Sequence, residues 1–309
     1  MPVLRDFFLA LSTNSVVRNF VVHFPLSRRV TRRFVAGETL DEAIAVVKKL
    51  NKQGILVTFD QLGESVTNEA EAREAKDGYL RALDAIAANK VSSQVSVKLT
   101  QMGLDLSTDV CLDNMRQILR RAKAIGTLVT IDMEDSHYTQ VTLNVFKTLR
   151  EEFDNVGIVI QSYLYRSEQD MQALLALGAN VRLCKGAYKE PAEVAFPNKA
   201  DVDANYRKLA QIFFDANGNS NGAYLDVASH DEKIIDWVKE YTTAHQVNRD
   251  RFEFQMLYGI RSDLHRKLVA EGYTMRVYVP YGTHWYPYFM RRLAERPANV
   301  IFLISNLFK

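Results

Sequence analysis

Near the end of the chain, Tyr288, Arg291, Arg292 and Glu295 recur at i, i+3, i+4 and i+7, so a helix would carry them on one face. Adjacent guanidinium groups repel one another unless an anion lies between them, and arginine suits a forked grip on a carboxylate. The chemistry on offer is capture of a small anion. The plainer alternative is a solvated helix in which Arg291 pairs with Glu295, worth roughly 0.2–0.5 kcal/mol. A further cation, Lys98, interrupts Val95-Ser-Val-Lys-Leu99 at an inward-facing strand position expected to be apolar. A buried lysine without a partner is costly. Asp132, which ends Leu128-Val-Thr-Ile-Asp132 one strand later, is its expected partner, in a site or in a structural ion pair.

The densest stretch is Val181-Arg-Leu-Cys-Lys-Gly-Ala-Tyr188. Gly186 after a strand lets a planar ligand or a phosphate approach backbone N–H groups. Arg182 and Lys185 add positive charge there, and Tyr188 adds a phenol. Gln161 and His230 are single polar residues at strand ends, where a lone histidine is more often structural. No spacing among these residues identifies a reaction.

The elements that must bring them together follow a regular alternation. Candidate strands are Ile55–Phe59, Val95–Leu99, Leu128–Asp132, Gly157–Gln161, Val181–Cys184, Tyr224–Ala228, Phe252–Met256 and Met275–Val279. Helix-period segments lie between them: Glu69–Asn89, Thr108–Ile125, His137–Phe153, Glu168–Leu177, Asp201–Ala216, Asp231–His245 and Ser262–Glu271. An amphipathic helix over Gly37–Leu50, with Thr39 and Glu42 as a capping box, precedes the series, and a helix over Pro287–Arg296 follows it. Gly54, Gly126, Gly178 and Gly272 punctuate the helix-to-strand returns. Eight such units fit an open doubly wound sheet or a closed (β/α)8 barrel. The barrel is favoured, because no G-x-G-x-x-G turn occurs. In addition, Asp60, Lys98, Asp132, Gln161, Lys185, His230, Gln255 and Tyr278 collect at strand C-terminal ends, the catalytic rim of barrel enzymes.

Composition narrows the function classes. The 309 residues suit one barrel with additions. A net charge of +2, from 39 basic and 37 acidic side chains, does not call for nucleic acid. Cys111 and Cys184 provide neither a disulfide scaffold nor the pairs of a cysteine zinc site. No apolar run of spanning length and no secretory signal is found, which points to a cytoplasmic protein. The first 36 residues stand apart as an arm, with the barrel expected over 37–309. Asp6 is their only acid, against Arg5, Arg18, Arg28, Arg29, Arg32 and Arg33, and two apolar blocks lie between these. The readings are a pair of helices packed on the barrel, a peripheral surface resting on anionic lipid, or an organelle transit peptide.

Taken in order, Arg182-Leu-Cys-Lys-Gly-Ala-Tyr188, Tyr278-Val-Pro-Tyr-Gly282 and Tyr288-Phe-Met-Arg-Arg-Leu-Ala-Glu295 resemble signature segments of the proline dehydrogenase family. Arg33-Phe-Val-Ala-Gly-Glu38, Ser96-Val-Lys-Leu99, Thr130-Ile-Asp-Met-Glu-Asp135, Val159-Ile-Gln-Ser-Tyr163 and Phe252-Glu-Phe-Gln-Met256 agree with it. The likeness is collinear from about Arg33 to Asn299, and the length resembles the monofunctional bacterial enzymes. It implies a distorted (β/α)8 barrel that binds FAD and oxidises L-proline to 1-pyrroline-5-carboxylate by hydride transfer from C5 to the flavin N5. Electrons would then pass to a membrane quinone. By matched position, Lys98, Arg291 and Arg292 would hold the substrate carboxylate, and Tyr278 would pack on the ring. Asp132, Tyr188 and Glu295 would complete the pocket. Met133, Gln161, Arg182, Lys185, Gly186, Ala187, Ser229 and His230 would contact FAD. Two positions depart from the family pattern: Ser229 stands where threonine is common, and Cys184, expected to be inert packing, replaces an aliphatic residue. Other readings are a hydroxyproline dehydrogenase, a lyase or aldolase forming a Schiff base on Lys98 or Lys185, and a non-catalytic lipid-surface protein.

Overall fold

The computed structural model describes residues 31–63, 65–216 and 222–295, with the side chains of Arg291 and of 293–295 outside the description. Eight parallel strands close into a barrel in chain order. They are β1 Leu56–Gln61, β2 Ser93–Val97, β3 Val129–Ile131, β4 Val156–Gln161, β5 Asn180–Cys184, β6 Tyr224–Ala228, β7 Phe252–Leu257 and β8 Met275–Tyr281. A helix precedes β1 and one follows each strand: α1 Leu40–Asn51, α2 Glu69–Asn89, α3 Thr108–Ala124, α4 Thr139–Glu152, α5 Ser167–Ala176, α6 Lys199–Asp215, α7 Glu232–Ala244, α8 Ser262–Ala270 and α9 Trp285–Glu295. Every expected element is present, with ends displaced by a few residues. The displacement matters at β2 and β3, which stop one residue before Lys98 and Asp132 and leave both side chains on the loops of the rim.

Local chemistry sets the helix boundaries. Thr39 accepts from the Glu42 amide while the Glu42 carboxylate accepts from the Thr39 amide, the reciprocal cap that the sequence announces. The four glycines at the returns all have positive φ, between 59° and 79°. Pro287 is the third residue of α9, within the first turn, where backbone N–H groups have no helical partner to lose.

Register separates the two faces of the barrel. Val57, Phe59, Val95, Val97, Ile131, Ile158, Leu183, Val227, Phe254 and Val277 point outward and bury against the helices. The inward series is polar: Thr58 pairs with Tyr278, Ser96 with Thr130, Arg182 with Asp226, Asp226 with Glu253, and Gln255 with Arg276. This corrects the expectation that the position of Lys98 would otherwise be apolar. Barrel interiors of this type are ordinarily filled by branched aliphatic residues; here charged and amide side chains fill much of the interior.

Of the arm, 1–30 lie outside the described residues. Its last stretch docks on α9: Phe34 and Val35 are buried with Trp285, Tyr286, Phe289 and Met290, and Trp285 donates to Glu38. The chain passes so close to the β7–α8 loop that a Cβ on Gly259, whose φ is +75°, would fall 1.7 Å from the Arg33 carbonyl oxygen. Glycine is required there.

Candidate active site

At the C-terminal rim the strands open into a cavity of about 670 Å³. Its walls include Lys98, Asp132, Met133, Gln161, Arg182 and Tyr278 from β2, β3, β4, β5 and β8 or the loops just after them. Lys185, Gly186, Ala187 and Tyr188 from the loop after β5, Ser229 and His230 after β6, and Arg292 on α9 also face it. Every candidate site residue with a described side chain therefore borders one space. Arg291 and Glu295 share α9 with Arg292, and their side chains are outside the description.

Asp132 is the hub. Its Oδ1 accepts from Arg182 Nη1 at 2.9 Å and from Ser96 Oγ at 2.6 Å. Its Oδ2 accepts from Tyr278 at 2.8 Å and from Lys98 Nζ at 3.2 Å. Burial alone would raise this carboxyl, but Lys98 and Arg182, with the Ser96 and Tyr278 bonds, hold it below its ordinary value. Asp60, also 3.4 Å from Lys98, goes the other way: burial raises it and Lys98 only partly offsets that. For Lys98, burial pulls downward, yet Asp60, Tyr278 and Asp132 hold the ammonium well above its usual range. Burial, followed by Asp132 and Asp60, likewise keeps the Tyr278 phenol protonated. The hub is thus an ionised aspartate gathering four donors. The guanidinium of Arg182 also lies 5.4 Å from the Tyr278 ring centre, and that of Arg292 lies 5.1 Å from the Tyr288 ring.

The second half of the cavity is built differently. Lys185 sits between Asp203 and Asp231, 2.6 Å from each. The Asp231 carboxyl is held at about 2: Lys185 and Lys199 overcome its burial. His230 Nε2 accepts from the Leu257 amide at 2.9 Å, which fixes the ring and places the proton of the neutral form on Nδ1. Ser229 Oγ accepts from the Asp231 amide. Gln161 donates to the Met133 carbonyl at 3.3 Å, so β4 and the loop after β3 are joined under the cavity. Gly186, at φ +109°, lies against the Tyr163 ring, which a Cβ would enter at 2.4 Å. Cys184 is half-buried, packed against the core and bordering the cavity, and burial first of all keeps its thiol neutral, at about 12.

Two atoms test the fit of a flat heteroaromatic cofactor. Among the described residues, Arg182 Nη2 and Gln161 Oε1 are buried and have no hydrogen-bond partner. A buried donor and a buried acceptor left open on one cavity need a ligand or water to complete them. A flavin ring, with carbonyl acceptors and an N–H donor on its edge, meets that requirement. The Lys98 geometry disfavours a Schiff base, because an ammonium between two carboxylates resists the deprotonation a nucleophile needs.

Sequence reasoning did not assign functions to Ser96, Glu253, Gln255 or Arg276. The signal was present in Phe252-Glu-Phe-Gln-Met256 and Met275-Arg-Val-Tyr-Val279, where apolar and polar residues alternate in strands that parallel sheets usually make apolar throughout.

Comparison with known proteins identifies the family and agrees with the fold. A family model for proline dehydrogenase matches residues 43–304. Proline dehydrogenase 1 of Bacillus subtilis is 46% identical over 308 residues, covering 99% of this chain and all of the relative. Proline dehydrogenase of Deinococcus radiodurans is 46% identical over 285 residues, 91% of this chain and 90% of the relative. Among solved structures, proline utilization A (PutA) from Bdellovibrio bacteriovorus, inactivated by N-propargylglycine, superposes with a TM-score of 0.82 at 28% identity. That match takes in 95% of this chain and 36% of the longer one. With the family match spanning most of the barrel and relatives of equal length, the chain belongs to the proline dehydrogenase family.

Proposed function

We propose that this chain oxidises L-proline to 1-pyrroline-5-carboxylate with FAD as its resident cofactor, and that the electrons leave to a membrane quinone. The observation that carries the reading is the convergence of Lys98, Arg182 and Arg292 with Asp132 and Tyr278 on one cavity. FAD, when bound, supplies the hydride-accepting chemistry that no side chain can provide. Met133, Gln161, Arg182, Lys185, Gly186, Ala187, Ser229 and His230 would hold it.

The work of the side chains is then aim and field. Arg292 and Lys98, with Arg291 next to Arg292 in sequence, bind the carboxylate of a small amino acid. A fixed carboxylate limits how the ring can lie, which converts binding into orientation. Tyr278, tied to Asp132, gives the ring a rigid wall. The amine must be neutral before oxidation, since the iminium product gains a positive charge. Asp132 adds negative charge beside that centre, and Arg182 beside the cofactor favours the electron-rich reduced state. Tyr188 and Glu295 would close the pocket.

The purified protein is expected to be yellow, and proline added without oxygen should bleach it. A colourless chain that cannot be reconstituted with FAD would end the flavin reading. Arg292→Ala is expected to raise KM for proline at least ~tenfold, since a hydrogen bond between buried charges is worth roughly 1.5–3 kcal/mol. An unchanged KM would remove Arg292 from carboxylate binding. The same bleaching assay over a panel of cyclic amino acids separates proline from hydroxyproline as substrate.

The basic arm over 1–36 is proposed to rest on anionic lipid at the cytoplasmic face, close to the quinone. No helix among the described residues is long and apolar enough to cross a membrane, and the attachment proposed for the arm is peripheral. Sedimentation with vesicles containing anionic lipid tests this, and indifference to salt and lipid charge would count against it.

A further inference from the structure

We propose that Gln255 and Glu253 are positioning residues for Arg182, locking its guanidinium so that Nη2 is presented to the cofactor. The inference rests on the flavin reading above and extends it to side chains on the floor of the barrel.

Arg182 is only 5% exposed, and three separate groups define its place. Its Nε donates to Gln255 Oε1 at 2.7 Å, and its Nη1 donates to Ser96 and Asp132 at 2.9 Å each. The remaining nitrogen, Nη2, is buried and has no hydrogen-bond partner among the described residues. A guanidinium fixed at Nε and Nη1 is fixed in its plane, so Nη2 can point in one direction only.

The amide that holds Nε is ambiguous by itself, because a glutamine can turn over and present NH2 instead of oxygen. Glu253 removes that freedom. Gln255 Nε2 donates to Glu253 Oε1 at 2.7 Å, and a carboxylate can only accept. The amide oxygen must therefore face Arg182. Glu253 is itself gripped by Arg276 through Nε and Nη2, while Arg276 Nη1 donates to the Val57 carbonyl at 3.0 Å. The chain of bonds runs from the β1 backbone through β8, β7 and β5 to the Asp132 hub, and each member has one permitted orientation. Glu253 does not border the cavity, so its influence there passes through Gln255.

If Arg182 stabilises the reduced cofactor, loosening it should alter the equilibrium of two-electron reduction apart from any effect on turnover. In FAD-loaded protein titrated against a reference dye, Gln255→Met is expected to make reduction about tenfold less favourable, close to 30 mV more negative. Glu253→Gln, which lets the amide turn over, should move the potential in the same direction. Combined with Arg182→Lys, either change should add less than about twofold to the effect of Arg182→Lys alone, because the route proposed for both runs through Arg182. Potentials that match the wild type, or shifts that add fully to that of Arg182→Lys, would overturn the proposal. So would misfolding of both variants, which would assign these residues to barrel stability. A wild-type chain that binds no FAD sinks the flavin reading itself, whereas the positioning claim fails in a yellow wild type whose variants keep its potential.

Discussion

Asp132→Ala is expected to lower kcat/KM for proline by roughly a hundredfold to a thousandfold and to destabilise the fold by roughly 3–5 kcal/mol. Both effects come from one carboxylate serving four donors. Its removal leaves Lys98 with Asp60 alone, at 3.4 Å, and leaves the Tyr278 hydroxyl without the acceptor it holds at 2.8 Å. Arg182 keeps Gln255 and Ser96 but loses its counter-ion. A hydrogen bond to a charged group contributes about 1.5–3 kcal/mol, and each 1.36 kcal/mol lost at the transition state is tenfold in rate. Loss of two such bonds at the lower end of their range, about 3–4 kcal/mol together, gives the stated range. Asp132→Asn separates the two effects. Its amide keeps the volume and one acceptor, so stability should recover in large part while kcat/KM stays at least tenfold low. Urea midpoints and steady-state kinetics on both variants check this, and an alanine variant of near-normal activity would demote Asp132 to a structural role.

The sequence discloses the scaffold more readily than the site, for a physical reason. Strand and helix periods are local, and capping residues such as Thr39 and Glu42 act within a few positions of themselves, so element order and approximate ends can be read directly. The contacts of Asp132 span 36, 34, 50 and 146 residues of chain, to Ser96, Lys98, Arg182 and Tyr278. No periodicity encodes such pairings, and what singled these residues out was resemblance together with their place at strand ends. The expectation of an apolar interior failed because inward positions were judged from barrels in general. The alternation in β5 to β8 contained the correction: Arg182, Asp226, Glu253, Gln255, Arg276 and Tyr278 all fall on the side opposite the valines and phenylalanines. A polar inner face explains how a barrel of this size can brace a buried guanidinium from beneath the cavity, through Glu253 and Arg276, which do not line it.

The same inner face predicts how stability depends on pH. Lys98, Arg182 and Arg276 are matched by Asp60, Asp132 and Glu253 through the ion pairs described. Among the described residues Asp226, almost fully buried between Arg182 and Glu253 in register, has no such ion pair; its Oδ1 accepts from Asn180, at 3.3 Å, and its Oδ2 has no hydrogen-bond partner there. Burial first, then Glu253, raises its pKa to about 7, against the pull of Arg182 and Arg276. An unfolded chain returns Asp226 to an ordinary value of about 3.9. The folded state therefore binds this proton more tightly than the unfolded state does. The stabilisation is complete below the ordinary value and is lost as pH rises toward and through about 7. About three pKa units set an upper bound of roughly 4 kcal/mol. Asp226→Asn, which carries no charge at any pH, should match the wild type at pH 5 only if the lost proton-linked term equals the cost of the substitution itself. The decisive quantity is therefore the difference between pH 5 and pH 8. That difference should shrink by roughly 2–3 kcal/mol in the variant, because only about two of the three units lie between pH 5 and the folded value, with most of the gain appearing at pH 8. Urea unfolding at the two pH values measures it, and an equal shift at both would mean that Asp226 is already ionised within the folded barrel.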